Sequence, residues 1–299
     1  MAHAAGVRLP YEKLPAALRA WVERVLGAAV ISATTQQGGF SPGVAARLVT
    51  TSGRRAFVKA VGASLNPKTP ELFRREITAM RGIGPLPVVP VLYDVYDDGD
   101  WVGMLFEDID GRLPAHPWVQ SEADRVLEAV AELTDALDPS PWPDAPVVAV
   151  RSREFLSRWE NVLADQLAVP DWMDGRVEEF VALARTGLQA QAEGKALAHY
   201  DLRADNVILT DDRVVFIDWA HPGLAARWTD TVILHADMRE SVTLPELPGD
   251  EAITGFIAAI AGGQWWGSAQ PAPPGLPTIR TWQRQSALTH LDWVRERLS

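Results

Sequence analysis

The sequence contains no cysteine among its 299 residues. Disulfide bonds and thiolate metal sites are therefore excluded. No apolar run approaches the roughly 20 residues that a membrane-spanning helix needs, and the first residues lack the apolar core of a secretory signal peptide. These absences predict a cytoplasmic protein with no membrane partner. The length leads us to expect two lobes or domains.

The densest group of chemically capable residues lies between positions 199 and 218. His199, Asp201 and Asn206 follow the spacing His-x-Asp-x-x-x-x-Asn, and Asp218 comes twelve residues after Asn206. Asp201 can accept a proton from an attacking hydroxyl, while Asn206 and Asp218 offer hard oxygen ligands suited to Mg²⁺. Taken singly, such residues often only cap turns. The whole constellation favours phosphoryl transfer.

A hairpin is predicted around this constellation. Residues 207–209 and 214–217 are short apolar runs, and residues 210–213 between them have the composition of a turn. A tight hairpin would bring the end of its second strand, before Asp218, close to the start of its first strand, after Asn206. One cation could then bridge both side chains.

Lys59 is one of only four lysines, and it stands in the apolar run 55–61. An ammonium in such a run is costly to bury unless it meets an anion, so Lys59 is a candidate for contact with the α- and β-phosphates of a nucleotide. The alternative is a strand residue whose ammonium stays in water. Its expected partner is Glu76, inside the apolar stripe of a predicted helix over 70–82. Glu71, in the first turn of that helix, needs only the helix dipole.

A glycine-bearing segment over residues 36–43 separates two apolar runs. A turn of this kind can present backbone N–H groups to phosphates, which makes Gly39 and Ser41 candidate nucleotide-binding residues. The segment is neither a Gly-x-Gly-x-x-Gly loop nor a Walker A loop. A plain β-turn is the alternative.

These residues, together with the segment from Leu105 to Gly111, resemble the aminoglycoside phosphotransferase family, a branch of the protein-kinase-like fold. The resemblance runs from about residue 28 to the C-terminus. It implies an α+β, bilobal fold, in which an antiparallel β-sheet N-lobe with one key helix precedes a mostly helical C-lobe. The implied boundaries are residues 1–107 for the nucleotide-binding N-lobe, 108–112 for the hinge and 113–299 for the catalytic and acceptor-binding C-lobe.

The resemblance also implies roles for residues that patterns alone do not single out. Glu107 and Ile109 would present hinge backbone groups to adenine. Asp230 would support the catalytic loop from a following helix, and His199 would support it from within. The chain departs from the family at Tyr200, where relatives often carry glycine.

A second departure is Arg203, at a position where the family often has histidine. Arg203 could supply positive charge to the transferred phosphoryl group. The alternative is an ion pair with Asp205.

Charge is unevenly distributed along the chain. Residues 1–106 hold 12 Lys and Arg against 8 Asp and Glu, a net charge of +4, whereas residues 107–299 hold the remaining 16 against 31, a net charge of −15. The acidic part, including a cluster over residues 165–179, would attract a cationic acceptor, or would only keep the protein dissolved. Nucleic acid is not an expected partner for such a surface.

The function that we expect is ATP- and Mg²⁺-dependent transfer of the γ-phosphoryl group to a hydroxyl of a small, antibiotic-like molecule, as in antibiotic resistance. GTP is an alternative donor, and a monomer or weak dimer is expected. The runner-up is a metabolite kinase acting on a sugar, choline or an amino alcohol. A nucleotide- or drug-binding pseudoenzyme is the third hypothesis.

The remaining expectations concern the second lobe. Helical periodicity predicts helices near residues 117–137, 151–167, 174–193, 228–238, 249–262 and 278–297. Five of the twelve tryptophans are candidates for an acceptor pocket, although core packing is the commoner use of this residue. They are Trp159, Trp172, Trp265, Trp266 and Trp282.

Overall fold

A computed structural model of the chain describes residues 8–36, 42–273 and 278–299, and these residues fall into two compact units. Unit 1 comprises the described residues up to His116 together with Leu202–His221. Unit 2 comprises Pro117–Asp201 and the described residues from Pro222 onward. By packing, residues 202–221 therefore group with the N-terminal part of the chain, whereas the sequence-based division assigns them to the C-lobe. The lobe boundaries at residues 107 and 112 stay a prediction.

Unit 1 is built on a five-stranded antiparallel sheet with the strand order β1-β2-β3-β5-β4. Its strands are β1 (Val30–Thr35), β2 (Val44–Thr50), β3 (Arg55–Gly62), β4 (Leu92–Asp97) and β5 (Trp101–Phe106). Two helices accompany the sheet, α1 (Ala16–Leu26) and α2 (Thr69–Ile83). A short 3-10 turn, Tyr11–Lys13, precedes α1.

The two faces of this sheet have different roles. In β2 and β3 every second side chain, including Ala46, Leu48 and Val58, is buried in a core that α1 completes with Leu18 and Trp21. Side chains alternate between the faces of a strand, so the intervening residues point to the opposite face. That opposite face carries Arg47 of β2 and Arg55 and Lys59 of β3.

A hairpin of two short strands, β7 (Val207–Leu209) and β8 (Val214–Phe216), also belongs to unit 1. The backbone of Leu209 exchanges two hydrogen bonds with that of Arg112, at 3.0 and 2.8 Å. The Phe216 N–H donates to the Val88 carbonyl at 2.8 Å. These backbone bonds explain why the hairpin packs with the N-terminal part of the chain.

Unit 2 is mainly helical. Its helices are α3 (Gln120–Ala136), α4 (Val148–Arg151), α5 (Arg153–Leu156), α6 (Trp159–Ala164), α7 (Val177–Glu193), α8 (Thr229–Met238), α9 (Glu251–Ser268) and α10 (Ile279–Leu298). A two-stranded sheet pairs β6 (Ala196–Ala198) with β9 (Gly223–Ala225). Short 3-10 turns cover Asp171–Met173 in unit 2 and Ala204–Asn206 in unit 1. No helix of the described residues is both long enough and apolar enough to cross a membrane.

The structure confirms the predicted α+β class and corrects one element of unit 2. The single helix expected over residues 151–167 is three short helices, because the chain leaves helical geometry at Ser152 and Ser157, where ψ is 9° and 14°. The hydrophobic stripe there continues through the breaks, with Leu156, Trp159 and Val162 all buried in one core. A pattern of buried residues alone does not reveal such interruptions.

The centre of unit 2 is the crossing of α7 and α9, where two glycines bring the helix backbones together. A Cβ atom added at Gly187 would overlap the backbone of Phe256 and Gly255. The buried face of α9, which includes Phe256 and Ile257, can then pack directly against α7. The crossing therefore depends on the missing side chain of Gly187.

Gly187→Ala should lower the free energy of unfolding by about 1–3 kcal/mol, the usual cost of overpacking a core. Alanine would otherwise favour a helix interior, so a loss of stability isolates the steric effect. Urea unfolding measures it. The matched control is Gly249→Ala, where an added Cβ atom meets nothing within 4 Å. Equal stability of the two variants would contradict the close crossing.

Candidate active site

The centre of the candidate site in unit 1 is Lys59, on the polar face of β3. Its Nζ atom lies 2.8 and 2.6 Å from the two carboxylate oxygens of Glu76, and 3.0 Å from Oδ1 of Asp218. Glu76 is 2% exposed and comes from the middle of α2. The predicted ion pair between Lys59 and Glu76 is present. Glu71, the alternative partner, is exposed and lies 3.6 Å from Arg75 in its own helix.

Burial and charge act in opposite directions on this cluster. Burial alone would lower the pKa of Lys59, but the negative charges of Asp218 and Glu76, and the hydrogen bonds to them, raise that pKa above its ordinary value. Burial raises the pKa of Glu76, against the lowering influence of Lys59. Lys59 is therefore a fixed cation shared between two acidic groups.

The hairpin brings Asn206 and the residue before Asp218 together, as the sequence predicts. The Ile217 N–H donates to the Asn206 carbonyl at 3.0 Å. This bond joins the residue before β7 to the residue after β8, at the open end of the hairpin. Asp218 has a φ of +65°, a left-handed conformation that costs a non-glycine residue about 1 kcal/mol or more. The chain thus turns sharply at the end of β8, and the Asp218 carboxylate meets Lys59.

The donor set at this end of the hairpin suits a hard cation. The Asn206 amide is buried, and the Asp218 side chain is 46% exposed. Amide and carboxylate oxygens are the ligands that Mg²⁺ takes together with substrate phosphates. The residues present therefore fit Mg²⁺ bound with a nucleotide.

In unit 2, Asp230 holds the segment that ends at Asp201. Its two carboxylate oxygens accept hydrogen bonds from the N–H groups of His199, at 2.7 Å, and Tyr200, at 2.8 Å. The Asp201 N–H in turn donates to Nδ1 of the buried His199 at 3.3 Å. Both contacts match the supporting roles expected for Asp230 and His199, which remain proposals as functional roles.

Tyr200 stands where the resemblance implies that glycine is common, and its backbone conformation is one that favours glycine. Tyr200 has a φ of +68°, which glycine adopts without strain. Its ring packs against the unit 2 core and lies 5.7 Å from the Arg151 guanidinium. The tyrosine therefore offsets backbone strain with packing that glycine lacks.

Arg203 is already engaged within unit 1. Its Nε and Nη2 atoms each lie 3.2 Å from a carboxylate oxygen of Asp205. This is the ion pair that the sequence analysis gave as the alternative to a role at the transferred phosphoryl group. A bidentate pair of this kind fixes the guanidinium in one orientation.

The expected hinge contains matched backbone groups. Among the described residues, neither the Glu107 carbonyl oxygen nor the Ile109 N–H takes part in a hydrogen bond. The Glu107 side chain is occupied, since it accepts from the Val91 N–H at 3.0 Å and from Arg213 Nη2 at 2.8 Å. The hinge thus keeps one backbone acceptor and one backbone donor available for a ligand.

The structure also reveals a clamp on the hinge that the sequence analysis missed. Arg47 Nε and Arg55 Nε each lie 2.6 Å from the carboxylate of Asp108, whose side chain is 3% exposed. Arg47 Nη2 also donates to the Ile109 carbonyl at 3.3 Å and to Asp110 Oδ1 at 3.2 Å. Single arginines in β2 and β3 have the pattern of an ordinary exposed strand face. The sequence therefore contains no signal that identifies Arg47 and Arg55 as partners of Asp108.

Two nucleotide-binding candidates, Gly39 and Ser41, lie outside the described residues. Gly43, just after that gap, has a φ of +122°, and its Cα lies against the carbonyl of Ala60 in β3. A side chain at this position would collide with that carbonyl. The end of the glycine-bearing segment is therefore held close to the strand of Lys59.

The tryptophans are divided between core and surface. Trp159 is fully buried and donates its Nε1–H to the Ala258 carbonyl at 2.6 Å, and Trp265 is 6% exposed in the same core. The remaining three candidates are partly buried or exposed: Trp172, Trp266 and Trp282. Packing accounts for Trp159 and Trp265, in line with the commoner use of the residue.

The acidic cluster of unit 2 is on the surface. Its members, Asp165, Asp171, Asp174, Glu178 and Glu179, are all exposed. One is already paired, since Glu179 lies 2.9 Å from Nη2 of Arg176. Exposed acids act on a ligand through the long-range field, which salt screens.

Unit 2 also contains a cavity of about 360 Å³ beside the C-terminal ends of α8 and α10. Its wall includes two arginines and two glutamates, and also His235, whose pKa burial lowers to about 4. The wall charges balance at neutral pH because His235 is then uncharged. The cavity therefore gives no preference for a cationic molecule.

The five-stranded sheet with its buried Lys–Glu pair, and the helical unit that carries Asp201, define a kinase-like class of phosphotransferase. The family model described as the phosphotransferase enzyme family matches residues 38–266. The chain belongs to this family. It is accordingly a small-molecule kinase that uses an alcohol group as acceptor.

Solved structures of low sequence identity share the fold. A thermostable mutant of aminoglycoside phosphotransferase APH(4)-Ia is 14% identical, with 93% of this chain and 98% of that chain covered and a TM-score of 0.59. The GDP and kanamycin complex of APH(2")-IIia is 14% identical, with 95% and 98% covered and a TM-score of 0.56. A choline/ethanolamine kinase family protein from Mesorhizobium loti is 15% identical, with 90% and 88% covered and a TM-score of 0.53. A comparison with curated protein sequences finds no match.

The pKa of Asp230 leads to a prediction about stability. Burial raises this pKa from 3.8 to about 6, against the two backbone N–H groups that lower it. A raised folded-state pKa means that the folded protein binds the proton more tightly. Relative to Asp230→Asn, the wild type should therefore lose stability as the pH rises from about 4 to about 6, by up to roughly 3 kcal/mol.

Urea unfolding of both proteins across this pH range measures the difference. Asp97→Asn is a control of opposite sign, because the hydrogen bond from Arg74 lowers the pKa of Asp97. Relative to Asp97→Asn, the wild type should gain stability as the pH rises, although the exposure of Asp97 to solvent keeps the effect small. A pH-independent difference for Asp230→Asn would contradict the assignment.

Proposed function

We propose that this protein transfers the γ-phosphoryl group of a nucleoside triphosphate, with Mg²⁺, to a hydroxyl of an antibiotic-like small molecule. The observation that carries the proposal is Lys59, held between buried Glu76 and Asp218 at the end of the hairpin that begins at Asn206. A cation anchored in this way meets the α- and β-phosphates, as in kinases generally. The reaction class follows from the family, and the acceptor is the proposed part.

The site residues of unit 1 have separate tasks in this proposal. Lys59 binds the phosphates, and Glu76 keeps its ammonium in place. Asn206 and Asp218 would hold Mg²⁺, which would neutralise phosphate charge when bound. Lys59 stays cationic at neutral pH because both neighbouring acids raise its pKa. The hinge groups of Glu107 and Ile109 would orient the base. Arg203 would add positive charge near the transferred group only by giving up its ion pair with Asp205.

Asp201 is the proposed general base. It would accept the proton of the acceptor hydroxyl as the oxygen attacks the γ-phosphorus, and the nucleoside diphosphate would leave from the opposite side. Asp230 and His199 fix the backbone on which Asp201 stands. The chain passes directly from Asp201 to Leu202, the first residue of the second segment of unit 1. The proposed base, Asp201, and the first proposed metal ligand, Asn206, are thus five residues apart in sequence, and the second, Asp218, lies seventeen residues after the base.

Proteins that share this fold belong to groups with different acceptors. One neighbour is a complex with kanamycin, and another belongs to the choline/ethanolamine kinase family. Both kinds of molecule are polar, hydroxylated and cationic. An acidic net charge of −15 over residues 107–299 favours such acceptors. A metabolite kinase is the second candidate, and the sequence-based expectation of a cytoplasmic location suits either.

Asp201→Asn and Asp218→Asn should each lower turnover by about 10³-fold or more, because one removes the base and the other a metal ligand. The acceptor is first identified by incubating the protein with Mg²⁺, ATP or GTP, and a panel of antibiotics and hydroxylated metabolites. Mass spectrometry then detects the phosphoryl mass gain.

The two variants should differ in binding. Asp201→Asn should bind the magnesium nucleotide as the wild type does, whereas Asp218→Asn should bind it more weakly. Asp211→Asn, in the exposed turn of the hairpin, is the matched control and should be fully active. Normal turnover in either site variant would refute the corresponding role.

The preference for a cationic acceptor predicts a salt effect. At saturating nucleotide, KM for the acceptor should rise several-fold between about 0.02 and 0.3 M salt, because ions screen exposed acids. The double variant Asp171→Asn/Asp174→Asn should flatten this dependence, and Asp144→Asn, an exposed acid outside the cluster, should not. A flat KM in the wild type would rule out electrostatic recognition of the acceptor by this cluster.

A further inference from the structure

The hinge clamp places Arg47 on the face of the sheet that carries Lys59. In β2 and β3, Arg47 pairs with Phe57 and Ala45 pairs with Lys59, and side chains two residues apart share a face. The opposite face is closed by the core beneath α1. Ala45 is the residue opposite Lys59, and Arg47 lies two residues further along β2. Arg47 therefore lies beside the position that the nucleotide takes in the proposed function.

The clamp fixes Arg47 firmly. Its Nε and Nη2 atoms bond both carboxylate oxygens of Asp108, at 2.6 and 3.1 Å, and Nη2 also reaches the Ile109 carbonyl at 3.3 Å. The carboxylate raises the pKa of Arg47 through its hydrogen bonds and charge. A bidentate arginine of this kind is a preorganised donor. It therefore occupies the Ile109 carbonyl without the cost of ordering a mobile side chain.

The clamp leaves a definite pattern on the hinge backbone. Among the described residues, the Glu107 carbonyl and the Ile109 N–H take part in no hydrogen bond, whereas the Ile109 carbonyl already accepts from Arg47. Adenine donates from its 6-amino group and accepts at N1, which matches these two available groups. Guanine accepts at O6 and donates from N1, so it would pair with the N–H and the carbonyl of one residue, Ile109. That carbonyl is the one Arg47 holds.

We propose that Arg47 is a specificity-determining residue that makes this enzyme prefer adenine over guanine nucleotides. The inference rests on the proposed function and specifies its phosphoryl donor. Guanine has to displace the arginine from the Ile109 carbonyl, while adenine does not. A related structure of this fold is a complex with GDP, so the fold itself does not exclude guanine.

Nucleotide binding tests the proposal without knowledge of the acceptor. The full chain is titrated with the Mg²⁺ complexes of the β,γ-imido analogues of ATP and GTP by calorimetry. The wild type should bind the adenine analogue more tightly. In Arg47→Met, which keeps the apolar stem and loses the donors, the ratio of the two affinities should fall about five- to tenfold, the size expected for one hydrogen bond. Most of the change should be tighter binding of the guanine analogue.

A matched control is Arg55→Met, which removes the other arginine on Asp108 without touching Ile109. Arg55→Met should leave the ratio of the affinities for the adenine and guanine analogues unchanged. Inosine triphosphate separates two causes, because it carries the O6 and N1–H groups of guanine but no 2-amino group. Its affinity should rise in Arg47→Met as that of the guanine analogue does. An increase confined to guanine would point to room for the 2-amino group and overturn the hydrogen-bond explanation.

If Arg47→Met does not fold, Arg47→Lys tests the role of Arg47 in nucleotide preference. A lysine can pair with Asp108 but cannot also bond the Ile109 carbonyl from the same fixed fork, so the ratio should fall here too. An unchanged ratio in a folded variant, or a wild type that favours guanine, overturns the inference alone. A wild type that binds neither nucleotide refutes the proposed function as well.

Discussion

The site in unit 1 depends on one buried cation shared by two acids. Burying the Lys59 ammonium would be prohibitive without Glu76, and burying Glu76 would be equally costly without Lys59. Each group therefore enforces the position of the other, which ties α2 to β3. Asp218, the third member, is only half-buried and contacts Lys59, and in the proposed function it would instead bind a metal ion. In the proposed function the Lys59–Glu76 pair would position the phosphates, and the half-buried contact between Lys59 and Asp218 is the one that a metal ion and nucleotide would replace.

The hairpin β7–β8 connects this pair to the hinge through independent backbone bonds. Its first strand bonds Arg112, its second bonds Val88, and Arg213 in its turn reaches Glu107. The proposed metal ligands at one end of the hairpin and the proposed base-binding groups at the expected hinge are therefore fixed to a common framework. In the proposed function a nucleotide would span both regions, so a rigid connection between them would lower the cost of ordering the site.

Much of this framework could be predicted from the sequence because it follows from local or strongly unfavourable patterns. The hairpin was recognisable from two apolar runs around a turn, and Glu76 from an acid inside an apolar stripe. The clamp on Asp108 was not recognisable, since Arg47 and Arg55 look like ordinary solvated strand residues. The break of the helix expected over residues 151–167 was also missed, because hydrophobic periodicity survives short interruptions at Ser152 and Ser157. Sequence patterns thus recover burial well and recover long-range polar contacts only where burial makes them obligatory.

The same distinction explains why donor and acceptor differ in how far they can be inferred. Phosphates require a cation, a hard metal and backbone donors in a fixed arrangement, and in the inferred site the adenine edge would pair with the Glu107 carbonyl and the Ile109 N–H. These demands leave traces in buried and paired residues. In the proposed function an acceptor would need only a hydroxyl near Asp201 and a surface of suitable charge, and the acids that would supply such a field are exposed and individually replaceable. Selection for a new acceptor can therefore alter unit 2 residues one at a time, while the Lys59 cluster has no comparable freedom.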